Sequence, residues 1–201
     1  MVYECTDFFY YLYLCANYLT QKTRKDMKDR KLLNIELGRV SVEEYKELPD
    51  SGIVVILDNI RSAHNVGSVF RSSDSFKVDK VFLTGICAQP PAPEIHKSAL
   101  GAEFSVDWEY VEDTLDVVNR LKSEGWTIVS IEQTVNSVKL DQFTKEPGRK
   151  YAVIFGNEVD GVRQDVVDAS DFAIEIPQYG TKHSLNVSVT AGIILWELKK
   201  S

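Results

Sequence analysis

The first group of residues that could do chemistry comprises Asn65, Gly67 and Arg71. It follows a β-branched run over residues 53–56, which predicts a buried strand. We expect Asn65 to cap the helix that comes next. Arg71 lies four residues after Gly67, one turn along the same helix face, and can lean back over the helix start. A solvated arginine on an exposed face is the alternative interpretation.

The second group follows a continuously apolar run over residues 151–155, which is typical of a strand buried on both faces of a parallel sheet. The run ends in Gly156, Asn157 and Glu158, and Gly161 comes shortly after. Ligands of open α/β sheets bind outside the C-terminal ends of the strands. A glycine-flanked loop with an amide and a carboxylate suits a polar ligand there. Alternatively, the glycines only make the turn, and both polar side chains are solvated.

The third group lies near the C-terminus. An alternating run over residues 173–176 predicts a strand that Pro177 ends. After a polar loop, Ser184 and Asn186 open an apolar helical pattern, and their side-chain oxygens suit the unpaired N–H groups of a first helical turn. Taken alone, this segment fits a capped helix on an α/β core equally well.

Together the three groups resemble the SpoU family of RNA 2′-O-ribose methyltransferases, also called the TrmH family, within the SPOUT superfamily. The motifs of that family are Asn-x-Gly-x-x-x-Arg, Gly-Asn-Glu-x-x-Gly, and Ile-x-Ile-Pro followed by Ser-Leu-Asn-Val. All three occur here in that order, and the resemblance covers about residues 52–201. The matching positions are Asn65, Gly67, Arg71, Gly156, Asn157, Glu158, Gly161, Ile174, Ile176, Pro177, Ser184, Leu185, Asn186 and Val187.

The resemblance implies S-adenosylmethionine as the methyl donor and a ribose 2′-hydroxyl of tRNA or rRNA as the acceptor. In the family, backbone groups of the knotted loops hold much of the donor, and Ile176 and Leu185 would contact its adenine. The positions expected to bind the donor are Thr84, Gly85, Gly156, Asn157, Ile176, Pro177, Gln178, Ser184, Leu185 and Asn186.

The resemblance assigns activation of the acceptor to Arg71. Because a guanidinium stays protonated, we expect it instead to hold the phosphate beside the target ribose and to stabilise the developing alkoxide. Asn65 is expected to position Arg71 or the ribose, and Glu158 to orient Arg71 or its own loop. Ser184 and Asn186 complete the expected catalytic set by bonding donor or acceptor.

The charge of the chain is unusual for a protein that binds RNA. The 201 residues carry a formal net charge of −7, whereas RNA affinity comes largely from Lys and Arg at phosphates. Binding would therefore depend on local basic patches, although a solvated charged run is the commoner meaning of such patches. The residues expected to contact RNA are Arg61, Arg71, Lys182, His183, Lys28 and Arg30.

Strands that alternate with helices predict an α/β fold with a mostly parallel sheet flanked by helices. The resemblance adds a C-terminal trefoil knot, which general topology rules make rare. The predicted strands are 53–57, 80–83, 127–131, 151–155 and 173–176, and the predicted helices are 65–76, 94–99, 111–124 and about 184–198.

We expect one methyltransferase domain over residues 52–201 and an N-terminal extension over residues 1–51. Within the extension, residues 1–26 are aromatic and apolar, then basic, and make a poor signal peptide. An over-extended start before Met27 is one interpretation of this segment, and a short amphipathic helix is another.

Several other features bear on location and assembly. The three cysteines lack paired or metal-ligand spacing and fit a reducing compartment, and the three histidines make no zinc pattern, so no metal is expected. No apolar run is long enough to span a bilayer, which favours a cytoplasmic protein without a membrane partner. A C-terminal helix that is apolar around much of its circumference, with the resemblance, predicts a homodimer.

Two other functions stay open. A catalytically silent RNA-binding module on the same fold would have lost Arg71 or the pair Asn157 and Glu158, and all three are present. A flavodoxin-like nucleotide-binding protein would need a phosphate cradle at a helix start, and the loop over residues 58–64 has no glycine. The sequence shows no separate N-terminal RNA-binding domain of the kind that some ribosomal enzymes carry, which favours tRNA mildly.

Overall fold

A computed structural model describes residues 29–200 of the chain in two compact units, each of which is described by itself. In the first unit, described from residue 29 to Arg39, a 3-10 turn spans Asn34–Leu37. The guanidinium of Arg30 donates to both carboxylate oxygens of Glu36, at 2.7 and 3.0 Å. The charge of this expected RNA contact is therefore already paired. Lys28, the other expected contact from this part of the chain, lies outside the described residues.

The second unit, from Val40 onward, is built on a seven-stranded sheet in the order β3-β2-β1-β6-β4-β7-β5. Every pair of neighbouring strands is parallel, which confirms the predicted α/β fold. The strands are β1 Ile53–Asp58, β2 Lys80–Thr84, β3 Asp107–Val111, β4 Thr127–Ile131, β5 Val138–Lys139, β6 Tyr151–Phe155 and β7 Phe172–Glu175.

Helices cover both faces of the sheet because the central strands are apolar on both sides. In β1, Val55 and Leu57 pack into the core that α2 and α7 share, whereas Val54 and Ile56 pack into the core formed with α5 and α6. The helices are α1 Val42–Glu47, α2 Ala63–Ser75, α3 Pro93–Ala99, α4 Ala102–Ser105, α5 Thr114–Ser123, α6 Gln164–Ala169 and α7 Val187–Lys200. None of the helices in the described part of the chain has the length and apolar content to cross a membrane.

Three helix starts differ from the prediction by two residues or more, and one of them is α7, which begins at Val187 rather than near Ser184. The helix expected from residue 111 begins at Thr114, because Asp113 accepts a hydrogen bond from Leu115 N–H at 3.1 Å and caps it. Residue 111 instead ends β3. The helix expected from Asn65 begins two residues earlier, with Ser62 as its cap.

The edge strands and the boundaries account for the remaining differences. Strands β3 and β5 and helices α4 and α6 were not predicted. Polar residues interrupt the apolar pattern of β3, β5 has only two residues, and the two helices are too short to show a periodic pattern. The compact unit begins at Val40 and includes α1, whose Tyr45 is buried in the core. The domain boundary at residue 52 and the trefoil knot stay predictions.

Gly67 allows α2 and α3 to pack closely. A Cβ at this position would lie 2.1 Å from Ser98 Oγ and 2.4 Å from the backbone oxygen of Ile95. Neither neighbour is the far end of a flexible side chain, so a larger residue would push the two helices apart. The glycine of the first group is thus required by helix packing.

Replacing Gly67 with Ala is expected to lower the free energy of unfolding by about 1–3 kcal/mol, since the added methyl overpacks the contact between α2 and α3. Gly192→Ala is the matched control, because its Cβ would meet Ser72 Oγ at an ordinary 3.9 Å. In the middle of α7 this change should be neutral or stabilise by up to about 1 kcal/mol. Urea unfolding followed by circular dichroism measures both effects, and equal destabilisation of the two variants would contradict the packing argument.

Candidate active site

Glu158 joins the second group to the loop that precedes α2. Its Oε1 accepts hydrogen bonds from Asn65 Nδ2 at 2.9 Å and from Ser62 N–H at 3.1 Å, and its Oε2 accepts from Arg61 N–H at 2.9 Å. The two backbone donors lie at the start of α2, where N–H groups lack helical partners. A carboxylate from the loop after β6 therefore holds the loop after β1 in place.

Asn65 carries the same connection on to the third group. Its Oδ1 accepts a hydrogen bond from Asn186 Nδ2 at 3.2 Å. Asn186 in turn accepts from Ser188 N–H at 2.8 Å, so it caps α7, as the sequence predicted. The chain of side chains Glu158–Asn65–Asn186 thus links the loops that follow β6, β1 and β7.

The carboxyl of Glu158 is held in its ionised form. Partial burial is the largest single influence and raises its pKa, but the hydrogen bonds from Arg61, Asn65 and Ser62 together outweigh it, so the pKa lies below the ordinary value. Both oxygens are committed to these donors. This geometry gives Glu158 a positioning role in the loop and leaves Arg71, which it was expected to orient, without contact to it.

Asn157 and the two glycines of the second group shape the loop itself. Asn157 Nδ2 donates to the backbone oxygen of Asn59 at 2.7 Å, and its backbone exchanges two hydrogen bonds of 2.9 Å with Gly161. A Cβ at Gly156 would lie 2.1 Å from the backbone of Gly161. The glycines are thus required by the turn, and Asn157 is bonded within the protein rather than solvated.

A cleft of about 450 Å³ opens beside these loops, at the C-terminal ends of β4, β6 and β7. Ile176 and the half-exposed Leu185 line it, so it offers apolar surface for an aromatic base. Its lining comes from four segments, within residues 131–133, 155–161, 174–178 and 183–190.

The loop after β7 brings backbone donors to this cleft. From Gln178 to Leu185, no backbone N–H donates a hydrogen bond to another residue in the described part of the chain. The loop is held from outside by Gln133, whose Nε2 donates to the backbone oxygen of His183 at 2.7 Å. Unpaired donors and apolar side chains in one cleft fit an adenosyl group that the backbone binds. Ser184 lines the cleft and is exposed.

The structure does not bring Thr84 and Gly85 to the cleft. Thr84 ends β2 and Gly85 follows it, and β1 separates β2 from β6. The Thr84 hydroxyl is buried and donates to the backbone oxygen of Leu57 at 3.0 Å. Gly85 has a φ of +59°, and a Cβ there would lie 2.1 Å from Asn59 Oδ1. The expected contact of these two residues with the methyl donor is therefore wrong, and they form a structural turn instead.

Sequence analysis missed the wall of the cleft that the end of β4 provides. Glu132 lines the cleft, and its carboxylate accepts from Val162 N–H at 3.1 Å. Gly161 leaves room for that carboxylate, since a Cβ there would lie 2.3 Å from Glu132 Oε2. The signal was available, because an apolar strand that ends in two polar residues is the pattern that marked the second group. Pro177 lines only a smaller adjoining cleft.

Arg71 is exposed on α2, and its guanidinium makes no hydrogen bond or ion pair with any residue that the structure describes. The Arg61 side chain likewise makes no hydrogen bond or ion pair with any described residue. In contrast, the other arginines of the second unit are paired, Arg120 with Glu109, Arg149 with Glu146, and Arg163 with Asp113 and Asp165. The unpaired arginines of this unit therefore lie on α2 (Arg71) and in the loop that precedes it (Arg61). Lys182 and His183 are exposed on the loop after β7.

The fold and the cleft define an α/β protein with a ligand site at the C-terminal ends of its strands. The chain belongs to the SpoU rRNA Methylase family, whose model matches residues 52–196. It is therefore an S-adenosylmethionine-dependent RNA methyltransferase, as the three groups of residues predicted. The described residues contain no cluster of side chains that could hold a metal ion.

Individual relatives support this assignment. The chain is 30% identical over 162 residues to an uncharacterized tRNA/rRNA methyltransferase of Borreliella burgdorferi, covering 79% of this chain and 68% of that protein. It is 30% identical over 165 residues to the tRNA (guanosine(18)-2′-O)-methyltransferase of Aquifex aeolicus, covering 79% and 74%. It is 32% identical over 154 residues to the 23S rRNA (guanosine-2′-O-)-methyltransferase RlmB of Nitrosomonas europaea, covering 75% and 56%.

Solved structures share the fold. The A. aeolicus TrmH/SpoU tRNA modifying enzyme superposes with a TM-score of 0.69 at 27% identity, over 79% of this chain and 81% of that one. An AdoMet-bound rRNA methyltransferase from Sinorhizobium meliloti gives a TM-score of 0.70 at 22% identity, over 78% and 59%.

Glu158→Gln is expected to lower the free energy of unfolding at pH 7 by about 1–3 kcal/mol, because the amide nitrogen must face an N–H donor. The pKa of Glu158 is depressed in the folded state, so its contribution is present above the unfolded glutamate pKa of about 4.3 and is lost as the pH falls through the folded value. The difference between the two proteins should therefore shrink below about pH 4. Urea unfolding at pH 3.5–7 measures it.

Asp160→Asn is the control for this measurement. Asp160 lies in the same loop and is exposed, and its carboxylate has no hydrogen-bond partner among residues 29–200. Its replacement should leave stability almost unchanged at every pH. A destabilisation by Glu158→Gln that does not vary with pH would show that the ionised carboxylate is not what holds the loops.

Proposed function

We propose that this protein transfers the methyl group of S-adenosylmethionine to a ribose 2′-hydroxyl of tRNA or rRNA in the cytoplasm. The observation that carries the proposal is the connection Glu158–Asn65–Asn186, which fixes the start of α2, the helix that carries Arg71, to the two cleft-lining loops after β6 and β7. The printed names of the A. aeolicus and N. europaea relatives specify 2′-O-methylation of guanosine, in tRNA and in 23S rRNA respectively. These names support the choice of the ribose hydroxyl.

The cleft is the proposed site of the methyl donor. Ile176 and Leu185 contact its adenine, and the backbone N–H groups of the cleft-lining residues Gln178, His183, Ser184 and Leu185 bond its polar atoms. When bound, S-adenosylmethionine supplies a methyl group on a sulfonium, a good leaving group. The protein therefore has mainly to position the acceptor, and holding two reactants in line accounts for a large part of such rate enhancements.

Arg71 is the proposed anchor of the acceptor. A protonated guanidinium cannot take the proton of the 2′-hydroxyl, but it can bind the neighbouring phosphate and stabilise the alkoxide as it develops. Its lack of a partner among the described residues leaves its donors available for this contact. Arg61, Lys182 and His183 would add contacts to phosphates further along the RNA.

Arg71→Ala is expected to reduce single-turnover methyl transfer by about 10²-fold or more while donor affinity stays within a few-fold, because the variant lacks the phosphate anchor. Arg71→Lys should also fail substantially, since a point charge does not reproduce a planar fork. Transfer of labelled methyl to total RNA and calorimetric titration with S-adenosylmethionine measure the two quantities.

Arg149→Ala is the matched control. Arg149 precedes β6 and so lies at the N-terminal ends of the strands, whereas the cleft lies at their C-terminal ends. Near-normal single-turnover rates for Arg71→Ala would refute the assigned role.

Mapping of 2′-O-methylated nucleotides in cells with and without the gene tests the function as a whole. RNA binding by the native protein without any transfer would favour the catalytically silent module, and tight binding of a flavin or nucleotide would favour the flavodoxin-like alternative.

We also propose that the protein is a homodimer. Helix α7 buries one face and exposes a second apolar stripe, formed by Val189, Ile193 and Trp196, which are 51%, 36% and 60% exposed. The spacing of these residues places them on one side of the helix. Two-fold pairing of this stripe with a second copy would cover it, and such pairing is the commonest closed assembly.

Light scattering coupled to size exclusion should give twice the chain mass of 22.8 kDa for the native protein. Ile193→Lys should shift the mass towards that of one chain, since it places a charge in the middle of the stripe. Val135→Lys is the control, because Val135 is fully exposed on a loop outside α7. A native protein that is fully active at the mass of one chain would exclude the dimer.

A further inference from the structure

Tyr179 presents its ring almost entirely to solvent. The residue is 94% exposed; within residues 29–200 its hydroxyl makes no hydrogen bond and its ring makes no aromatic or cation–π contact. Tyr110, in contrast, is 37% exposed and donates its hydroxyl to the backbone oxygen of Gly85 at 2.9 Å. An aromatic side chain that contributes nothing to the folded core is available for a partner from outside.

The position of Tyr179 places that partner beside the proposed donor site. Tyr179 lines a smaller cleft of about 230 Å³, which shares Gln133, Glu175, Ile176 and Gln178 with the donor cleft. The two clefts therefore have a common wall.

The same loop carries an unpaired lysine beside a histidine. Lys182 and His183 are exposed, and neither side chain has a partner among the described residues. Lys139, at the smaller cleft, is neutralised by Glu175 at 3.1 Å. A ring that can stack on a base, next to a lysine that can meet a phosphate, is the combination that binds single-stranded RNA. With a net charge of −7, the protein cannot depend on general attraction for the phosphate backbone.

We propose that Tyr179 stacks on an unpaired base next to the target nucleotide, so that the enzyme selects a ribose in a loop or other single-stranded segment of RNA. The proposal rests on the proposed function. A base inside a duplex already has both faces covered by its neighbours, so it cannot use the ring without unstacking first. The recognition requires an aromatic face and no particular base edge, because every base has a π-face.

The test compares Tyr179→Ala with Tyr179→Phe, using a stem-loop RNA that the native protein methylates. Tyr179→Ala should weaken RNA affinity about 5- to 100-fold, the effect of losing one stacked base, whereas Tyr179→Phe should stay within about two-fold. The affinity for S-adenosylmethionine should be unchanged in both. The dependence of RNA affinity on salt should also be unchanged in Tyr179→Ala, while Lys182→Ala should reduce its slope by about one.

Two further arms make the outcome decisive. Val135→Ala, which removes another fully exposed apolar side chain from a neighbouring loop, should leave RNA affinity unchanged. Annealing a complementary strand across the target should weaken binding of the native protein and remove the difference between it and Tyr179→Ala. The inference is overturned if Tyr179→Ala binds RNA normally, if Tyr179→Phe is as weak as Ala, or if donor affinity falls with RNA affinity. If the native protein methylates no RNA at all, the proposed function fails instead.

Discussion

One carboxylate, that of Glu158, holds the candidate site together. It satisfies the backbone donors of Arg61 and Ser62 at the start of α2 and binds Asn65, which in turn binds Asn186 at the start of α7. Two helix starts and one strand end are thereby fixed to each other by polar contacts of good length. An unpaired carboxylate or unpaired helix-start donors would cost free energy, so the three loops are more stable together than apart. The tight turn at Gly156 and Gly161 is what aims the carboxylate.

This constraint separates the residues that build the site from those that face its ligands. The side chains of Glu158 and Asn65 form hydrogen bonds within the protein. The side chain of Arg71, six residues after Asn65 on the same helix, forms none with the described residues. The position of α2 is set by Glu158 at its start and by the close packing of Gly67 against α3. A rigid helix can then carry an unpaired guanidinium at a fixed place, which is what the anchoring of a phosphate requires.

The sequence predicts most of the sheet because its central strands are mainly apolar runs that stop at glycine or at polar residues. It does not predict β3, where Asp107 and Glu109 interrupt the pattern on a half-exposed edge, nor the two-residue strand β5. Nor does it show that Asn65 meets Glu158, since the two lie 93 positions apart and only tertiary structure brings them together. The predicted donor contact at Thr84 and Gly85 is wrong for a related reason. A glycine after a strand marks a turn, but the strand order decides which turns lie at the cleft.

The distribution of arginine explains how an acidic protein can still bind a polyanion. In the unit that begins at Val40, the arginines that lie outside α2 and its preceding loop are neutralised by carboxylates, whereas Arg61 and Arg71 are not. The excess of acidic residues therefore repels RNA from most of the surface, and attraction depends on local cations such as Arg61 and Arg71 in the segment that Glu158 holds in place and Lys182 on the loop after β7. With few phosphate contacts available, affinity has to come from contacts that salt does not screen, and a base stacked on an exposed ring is one of these. A net negative charge and an exposed tyrosine beside the donor cleft are thus consistent parts of one way of recognising RNA.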